Sequence, residues 1–138
     1  MKILVPIDGS DASLRALAFV TSHADAFSPD IHLIHVHLPV PSARAAAWVG
    51  KEVLHAYYEE ESDAALKPAL GLLAKAGKQA VVIKGIGDPG SEIASKAAAG
   101  FDLIVMGNKG RTALGNMVMG SVAMRTLAES TVPVLLVK

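Results

Sequence analysis

The chain contains no cysteine, which removes disulfide staples, thiolate metal sites and thiol nucleophiles together. A reducing compartment fits that absence, and the expected location is cytoplasmic. Aromatic residues make up only 4% against 51% hydrophobic residues overall, so the interior has to be filled by Ala, Val, Leu and Ile. Such a composition suits helices packed on a parallel sheet. Net charge is missing too, because 13 Lys and Arg balance 13 Asp and Glu, and no electrostatic footprint for nucleic acid or an anionic membrane surface remains. No apolar stretch approaches the roughly 20 residues that span a bilayer. The run Met1–Asp8 lacks the apolar length and the small-residue cleavage site of a signal peptide, so neither export nor membrane insertion is expected. A small ligand, uncharged or locally compensated, is the partner class left standing.

With 138 residues the chain is long enough for a sizeable core, and one domain over 1–138 is the expectation. Short β-branched runs alternate with longer Ala-rich segments, the pattern of stacked βαβ units around a parallel sheet. Five strands and four helices are predicted. The first strand covers about 2–7, and Ser10 caps a helix running to about Ala26. The second strand is Ile31–His37. A loop with Pro39 and Pro41 leads into a helical stretch from about Ala45 to Ala76, closed by Gly77 and kinked or broken near Lys67 by Pro68. The third strand is Gln79–Lys84, and Asp88 caps a helix with Pro89 in its first turn, running to about Ala99. The fourth strand, Phe101–Met106, precedes a glycine-rich segment. A helix to about Glu129 and a fifth strand, Pro133–Val137, follow. No internal repeat or low-complexity tract is visible.

The segment Gly107-x2-Gly110-x9-Gly120-Ser121 carries the most chemistry. It leaves the carboxyl end of a strand, where open α/β sheets collect ligands at the point of diverging crossovers. Gly107 and Gly110 let the backbone approach an anion and reach positive φ, so that successive N–H groups converge on a phosphate. Gly120 and Ser121 add donors at a helix start, and Lys109 and Arg111 add positive charge. The spacing alone also allows a surface loop with glycines at its turns and Ser121 as an ordinary cap.

The glycine spacing, together with Phe101-Asp102-Leu103-Ile104-Val105-Met106-Gly107, Val132-Pro133-Val134-Leu135-Leu136-Val137 and the opening Ile3-Leu4-Val5-Pro6-Ile7-Asp8-Gly9-Ser10, resembles the universal stress protein family over essentially the whole chain. The three-glycine spacing resembles the family's ATP-binding branch. This resemblance implies a three-layer α/β/α sandwich of the adenine nucleotide alpha hydrolase-like kind, with a five-stranded parallel sheet in the order 3-2-1-4-5. It implies ATP with Mg2+ as cofactor. Gly107, Gly110, Gly120 and Ser121 would contact phosphates and ribose, and Pro6, Ile7, Asp8, Val36 and Met106 would surround the adenosine. Ser10, Lys109 and Val122 complete the implied nucleotide-binding set, with no catalytic residue and no metal ligand assigned. The chain departs from the family's pattern by having Asn108 and Lys109 where many relatives carry a hydroxyl residue and another basic one. The resemblance also implies a homodimer through the last strand, Pro133–Lys138, whose apolar edge would invite association in any case.

Other patterns compete. Gly85-x-Gly87-x2-Gly90 follows a strand and opens a helix as a dinucleotide fingerprint does, yet the next strand ends Val105-Met106-Gly107-Asn108, without the acid that would hold a ribose. His35 and His37 share a strand face and could be a metal pair or hydrogen-bonded core residues. Asp8 as a phospho-acceptor would need further acids beside it to hold a cation. Glu59–Glu61 reads as a solvated helix face, and Trp48, Tyr57 and Tyr58 as packing for that helix or for a partner. No Gly-x4-Gly-Lys-Ser/Thr loop and no base or cation-holding acid pair is present to drive phosphoryl transfer. The expected function is an ATP-binding regulator or sensor in a stress response, acting on a protein partner of unknown identity, with little or no turnover. A slow ATP hydrolase or another adenosine-nucleotide enzyme using the same pocket is the alternative, and a structural protein that uses ATP only as a staple is a third.

Overall fold

The structure is a computed structural model that describes residues 1–40, 47–111, 115, 116 and 118–138. Five parallel strands form one sheet in the order β3-β2-β1-β4-β5: β1 Lys2–Pro6, β2 Asp30–His37, β3 Val81–Ile86, β4 Leu103–Gly107 and β5 Val134–Val137. Between them run α1 Asp11–Ser22, a short α2 Ala24–Phe27, α3 Lys51–Lys75, α4 Pro89–Ala97 and α5 Ser121–Glu129. The strand order and the parallel sense agree with the sequence expectation.

The two-residue period of the strands divides the interior into two layers. Ile3, Val5 and Ile7, with Ile31, Leu33 and Val105, meet α1 through Ala16, Leu17 and Val20, and α3 through Leu66, Ala69 and Leu73. On the other face Leu4, Ile34, Ile104 and Met106 meet Ile93 and Ala97 of α4 and Ala123 of α5. Helices thus cover both faces, and the core is mainly aliphatic, with Phe101 buried in the second layer. No helix among the described residues is long and apolar enough to cross a membrane.

Local chemistry explains most boundaries. Ser10 caps α1 by accepting from the Ser13 amide at 3.2 Å, and Asp88 caps α4 by accepting from the Ser91 amide at 3.0 Å, with Pro89 in the first turn. The first helix stops at Ser22 rather than Ala26, because His23 leaves helical geometry at φ −110° and ψ 27°. Its ring stacks on Phe19 at 4.2 Å, and a separate turn, α2, follows.

No break occurs at Pro68, which lies inside one continuous helix, Lys51–Lys75. Pro68 lies on the exposed side while Tyr58, Ser62, Ala65, Leu66, Ala69 and Leu73 form the buried side. The carbonyl that the missing N–H would have served, that of exposed Ala64, therefore faces water. Residues 47–49 of the expected stretch are helical, but Gly50 at φ 81° interrupts it and α3 begins at Lys51; Ala45 and Ala46 of the expected start lie outside the described residues. Strand β3 is shifted by two residues from the expectation, because its ladder with β2 pairs His32 with Val81 and His37 with Ile86. Strand β4 starts at Leu103 because Phe101 is still tied to α4, its amide bonding the Ala97 carbonyl at 3.1 Å.

The feature that positions the site is a split in the sheet. Strands β1 and β2 stay paired through Pro6 and Ile34, and β4 and β5 through Gly107 and Val137. The central pair, β1 and β4, is in register only at Ile3–Leu103 and Leu4–Ile104. Pro6 has no N–H with which to continue a ladder. Beyond Leu4 and Ile104 the two strands part, and the crossovers on either side lead to opposite halves of the sheet, the place where such folds bind ligands.

Candidate functional site

A cavity of about 160 Å³ fills the split. Its walls are Pro6, Ile7 and Asp8 from the end of β1, Ile34 and Val36 from β2, and Met106 and Gly107 from the end of β4. Lys109, Gly110, Gly120, Ser121 and Val122 close the far side. Eleven of the twelve residues named from the sequence are in this wall; Ser10 is the exception. Ser10 instead serves α1, and its hydroxyl and amide both donate to Asp8 Oδ1.

A wider cleft of about 430 Å³ adjoins the cavity and shares Asp8, Val36, Gly110 and Ser121 with it, adding His35, His37, Arg111 and Arg125. The two together fall within the roughly 300–1,000 Å³ usual for small-molecule sites. The inner part is mainly aliphatic, and the outer part carries side chains of both charge signs, among them Glu61, Asp88, Arg111 and Arg125. A flat apolar ring system suits the first and an anionic tail the second.

The glycines serve two different purposes. None of Gly107, Gly110 and Gly120 lies at positive φ, so the conformational role expected for Gly107 and Gly110 is corrected. At Gly107 the reason is packing: a Cβ there would stand 2.8 Å from the backbone of Ala12, in the first turn of α1. At Gly110 a Cβ would meet Asp8 Oδ2 at 2.8 Å. The same carboxylate oxygen accepts from the Arg111 amide at 3.2 Å, so Asp8 clasps the glycine loop to the end of β1. At Gly120 a Cβ would find 3.4 Å to Lys109 Cα and 3.5 Å to the Gly110 nitrogen, a fit without displacement of the backbone. Its own amide donates to the Asn108 carbonyl at 2.7 Å.

Gly120 is the cap position of α5 and offers no side-chain bond; Ser121 is the first helical residue and exposed. The Ser121 hydroxyl is therefore not the helix cap that the plainer reading made it. Asn108 is buried and its side chain donates to the Val118 carbonyl at 2.7 Å, which ties the glycine loop's two ends together. Its amide donates to the Val137 carbonyl at 3.0 Å. Lys109 lines the cavity. Thr112, Ala113, Leu114 and Met117 of the same segment lie outside the described residues, as do residues 41–46 of the 38–50 loop.

The competing motifs resolve into packing. Gly85 belongs to β3, and Gly90 is glycine because a Cβ there would lie 2.6 Å from the Cβ of Arg125, at the contact of α4 with α5. His35 is buried, and its Nδ1 lies 2.8 Å from the Ile7 carbonyl, a satisfied core histidine. His37 Nδ1 lies 2.6 Å from the Leu38 carbonyl, and its ring meets Tyr57 and Tyr58 edge-on. Among the described residues no three His, Asp or Glu side chains gather into a potential metal site. Tyr58 packs α3 and its hydroxyl accepts from the Val40 amide at 2.9 Å, whereas Trp48 is exposed.

The acidic run of α3 is not uniformly solvated. Glu59 and Asp63 both bind Lys84 Nζ at 2.7 Å, and these bonds, Asp63 first, raise the lysine above its ordinary pKa. Glu61 borders the outer cleft. In the same cleft the Ser91 amide holds the Asp88 carboxyl below the usual carboxylate range, with the charge of Arg125 adding to the effect.

Ser13, Ile34, Pro89, Ile93 and Ala123 also line the cavity and were not named from the sequence. The signal for two of them was present: Ile34 is two residues before Val36 on one strand face, and Ile93 is one helical turn after Pro89.

Comparison with known proteins agrees with this architecture. The family model described as "Universal stress protein family" matches residues 1–138. The universal stress protein MJ0531 of Methanocaldococcus jannaschii is 35% identical over 140 residues, covering 99% of this chain and 81% of that protein. The solved structure of hypothetical protein MJ0577 superposes with a TM-score of 0.80 at 30% identity, covering 99% of this chain and 94% of that one. A universal stress protein solved in complex with cAMP superposes at 0.59 with 26% identity, covering 100% and 97%. On the family match over the whole chain and on a relative 35% identical across 99% of it, the chain belongs to the universal stress protein family.

Proposed function

We propose that this chain is a cytoplasmic regulator or sensor in a stress response that binds ATP in the split of its sheet and changes partner preference accordingly. The observation that carries the reading is the parting of β1 and β4 beyond Leu4 and Ile104, which opens an apolar slot directly onto the glycine loop. Pro6, Ile7, Val36 and Met106, which line the slot, would surround the base, and Asp8 would face the base or the sugar. The amides of Gly110 and Ser121, with Lys109, hold the phosphates, and Gly120 lets them come close to the loop because it carries no side chain. Support comes from the relative of 26% identity that was solved with an adenine nucleotide, cAMP.

Magnesium enters with the phosphates. Among the described residues Asp8 is the one carboxylate lining the inner cavity, and no protein cage for a cation exists among them. A magnesium ion arriving with the nucleotide would be held mainly by phosphate oxygens and water, the usual mode for magnesium on a nucleotide. Binding with at most slow turnover is the role, because the sequence has no Gly-x4-Gly-Lys-Ser/Thr loop to drive phosphoryl transfer. Phosphate release at several turnovers per second under saturating ATP and magnesium, near ordinary enzyme rates, would overturn that part.

The chain acts as a homodimer through β5. Val134, Leu135, Leu136 and Val137 are each only partly covered, and β5 lies at an edge of the sheet, where an apolar strand pairs readily. Sedimentation as a monomer at micromolar concentration contradicts this. The direct test of ligand class is mass spectrometry of what denatured, freshly purified protein releases. An adenine nucleotide is expected, and a different cofactor in stoichiometric amount would refute the assignment.

A further inference from the structure

Resting on the nucleotide reading above, we propose that Arg125 reads the terminal phosphate, so that the outer cleft separates nucleoside triphosphates from monophosphates. Ser121 and Arg125 are the first and fifth residues of α5, one turn apart on the same helix face, and both border the 430 Å³ cleft. A monophosphate ends at the Gly120–Ser121 turn. A triphosphate continues outward along the cleft, into reach of the next cation on that face.

The arginine is built with a fixed stem and a loosely held head. Its Cβ and Cγ are seated on Gly90, where an added Cβ would come within 2.6 and 2.9 Å of them. The guanidinium stands 3.5 Å from Asp88 through Nε and 3.5 Å from Glu129 through Nη1. Both distances exceed the roughly 2.7–2.9 Å of charge-assisted hydrogen bonds, and no single carboxylate grips it with two parallel bonds. The side chain is 55% exposed.

Release of the head leaves nothing stranded. Asp88 Oδ2 keeps the Ser91 amide at 3.0 Å, and the Glu129 side chain is 42% exposed and returns to water. A terminal phosphate offers more negative charge and three acceptor oxygens in one group, which the planar fork of arginine matches in geometry. The two carboxylates therefore park the guanidinium beside the cleft until a polyphosphate displaces them.

The test is calorimetric titration of the full chain with ATP and with AMP, each with magnesium, on the wild type, Arg125→Gln and Arg125→Lys. Glutamine keeps the stem that packs on Gly90, and lysine keeps the charge without the fork. The wild type should bind ATP more tightly than AMP. Arg125→Gln should weaken ATP about tenfold, the scale of one lost charge-assisted contact, and leave AMP within about twofold; Arg125→Lys should fall between. Unliganded melting temperatures should match across the three. Equal losses for ATP and AMP would make Arg125 a wall of the cleft and overturn the inference, as would no loss for either. A wild type that binds neither nucleotide removes the nucleotide reading itself.

Discussion

Gly107→Ala tests the division of labour among the glycines. Gly107 ends β4, and the added methyl would lie 2.8 Å from the carbonyl carbon and oxygen of Ala12 and 2.9 Å from its Cβ. These atoms belong to the first turn of α1, whose start is capped by Ser10 and whose Ala16, Leu17 and Val20 are fully buried. The obstacle is thus a helix backbone rather than a movable side chain. Overpacking of this kind costs about 1–3 kcal/mol. For a chain of this size each kcal/mol moves the melting temperature by about 4 °C, so a drop of roughly 4–12 °C is expected in thermal unfolding without nucleotide. Gly120→Ala is the control, since its methyl meets neighbours only at 3.4–3.6 Å. Its cost should stay within about 1 kcal/mol, that of a poorer helix cap. A Gly107→Ala protein melting within about 1 °C of the wild type, yet failing to bind nucleotide, would refute the packing argument.

Gly120→Val should keep the fold and lose the ligand, because the larger side chain crowds the phosphate position. The wild type should gain about 2.7 kcal/mol at a hundredfold excess of ATP over its dissociation constant; a preserved thermal shift in the variant counts against the loop. Pro68→Ala should restore an amide for the Ala64 carbonyl within α3 and stabilise the chain, by up to about 3 kcal/mol. An unchanged denaturant midpoint contradicts that. Asp88→Ala should remove the α4 cap at a cost of about 0.5–2 kcal/mol at neutral pH. The folded carboxyl is held below its ordinary value of 3.8, so this stability is present above that value and lost as pH falls through the folded pKa. The gap between wild type and variant should close in acid; a gap that persists there, in denaturation at matched ionic strength, argues against the cap.

Much of the scaffold was legible because local signals and tertiary packing agree in it. The alternation of β-branched and Ala-rich runs gives the βαβ order, and Ser10 and Asp88–Pro89 mark helix starts that the structure keeps. Prediction failed where a tertiary surface outvoted a local rule. Pro68 should break a helix, yet its exposed placement and the buried line from Tyr58 to Leu73 hold α3 together. The register of β3 depends on its ladder with β2, which no propensity contains.

The site shows the same division. The glycine loop and the apolar ends of β1 and β4 could be named from the sequence, since the end of each strand is where side chains and amides are free. The reasons for individual glycines could not. Gly107 answers to Ala12, Gly110 to Asp8 and Gly90 to Arg125, contacts between residues far apart in the chain. Only the fold brings them within a carbon's width.

The most direct measurement is a crystal structure of the protein soaked in millimolar ATP and magnesium. The account predicts the adenine between Val36 and Met106, where β1 and β4 part, with the phosphates against the amides of Gly110 and Ser121. A vacant split, or nucleotide bound elsewhere on the surface, would contradict it.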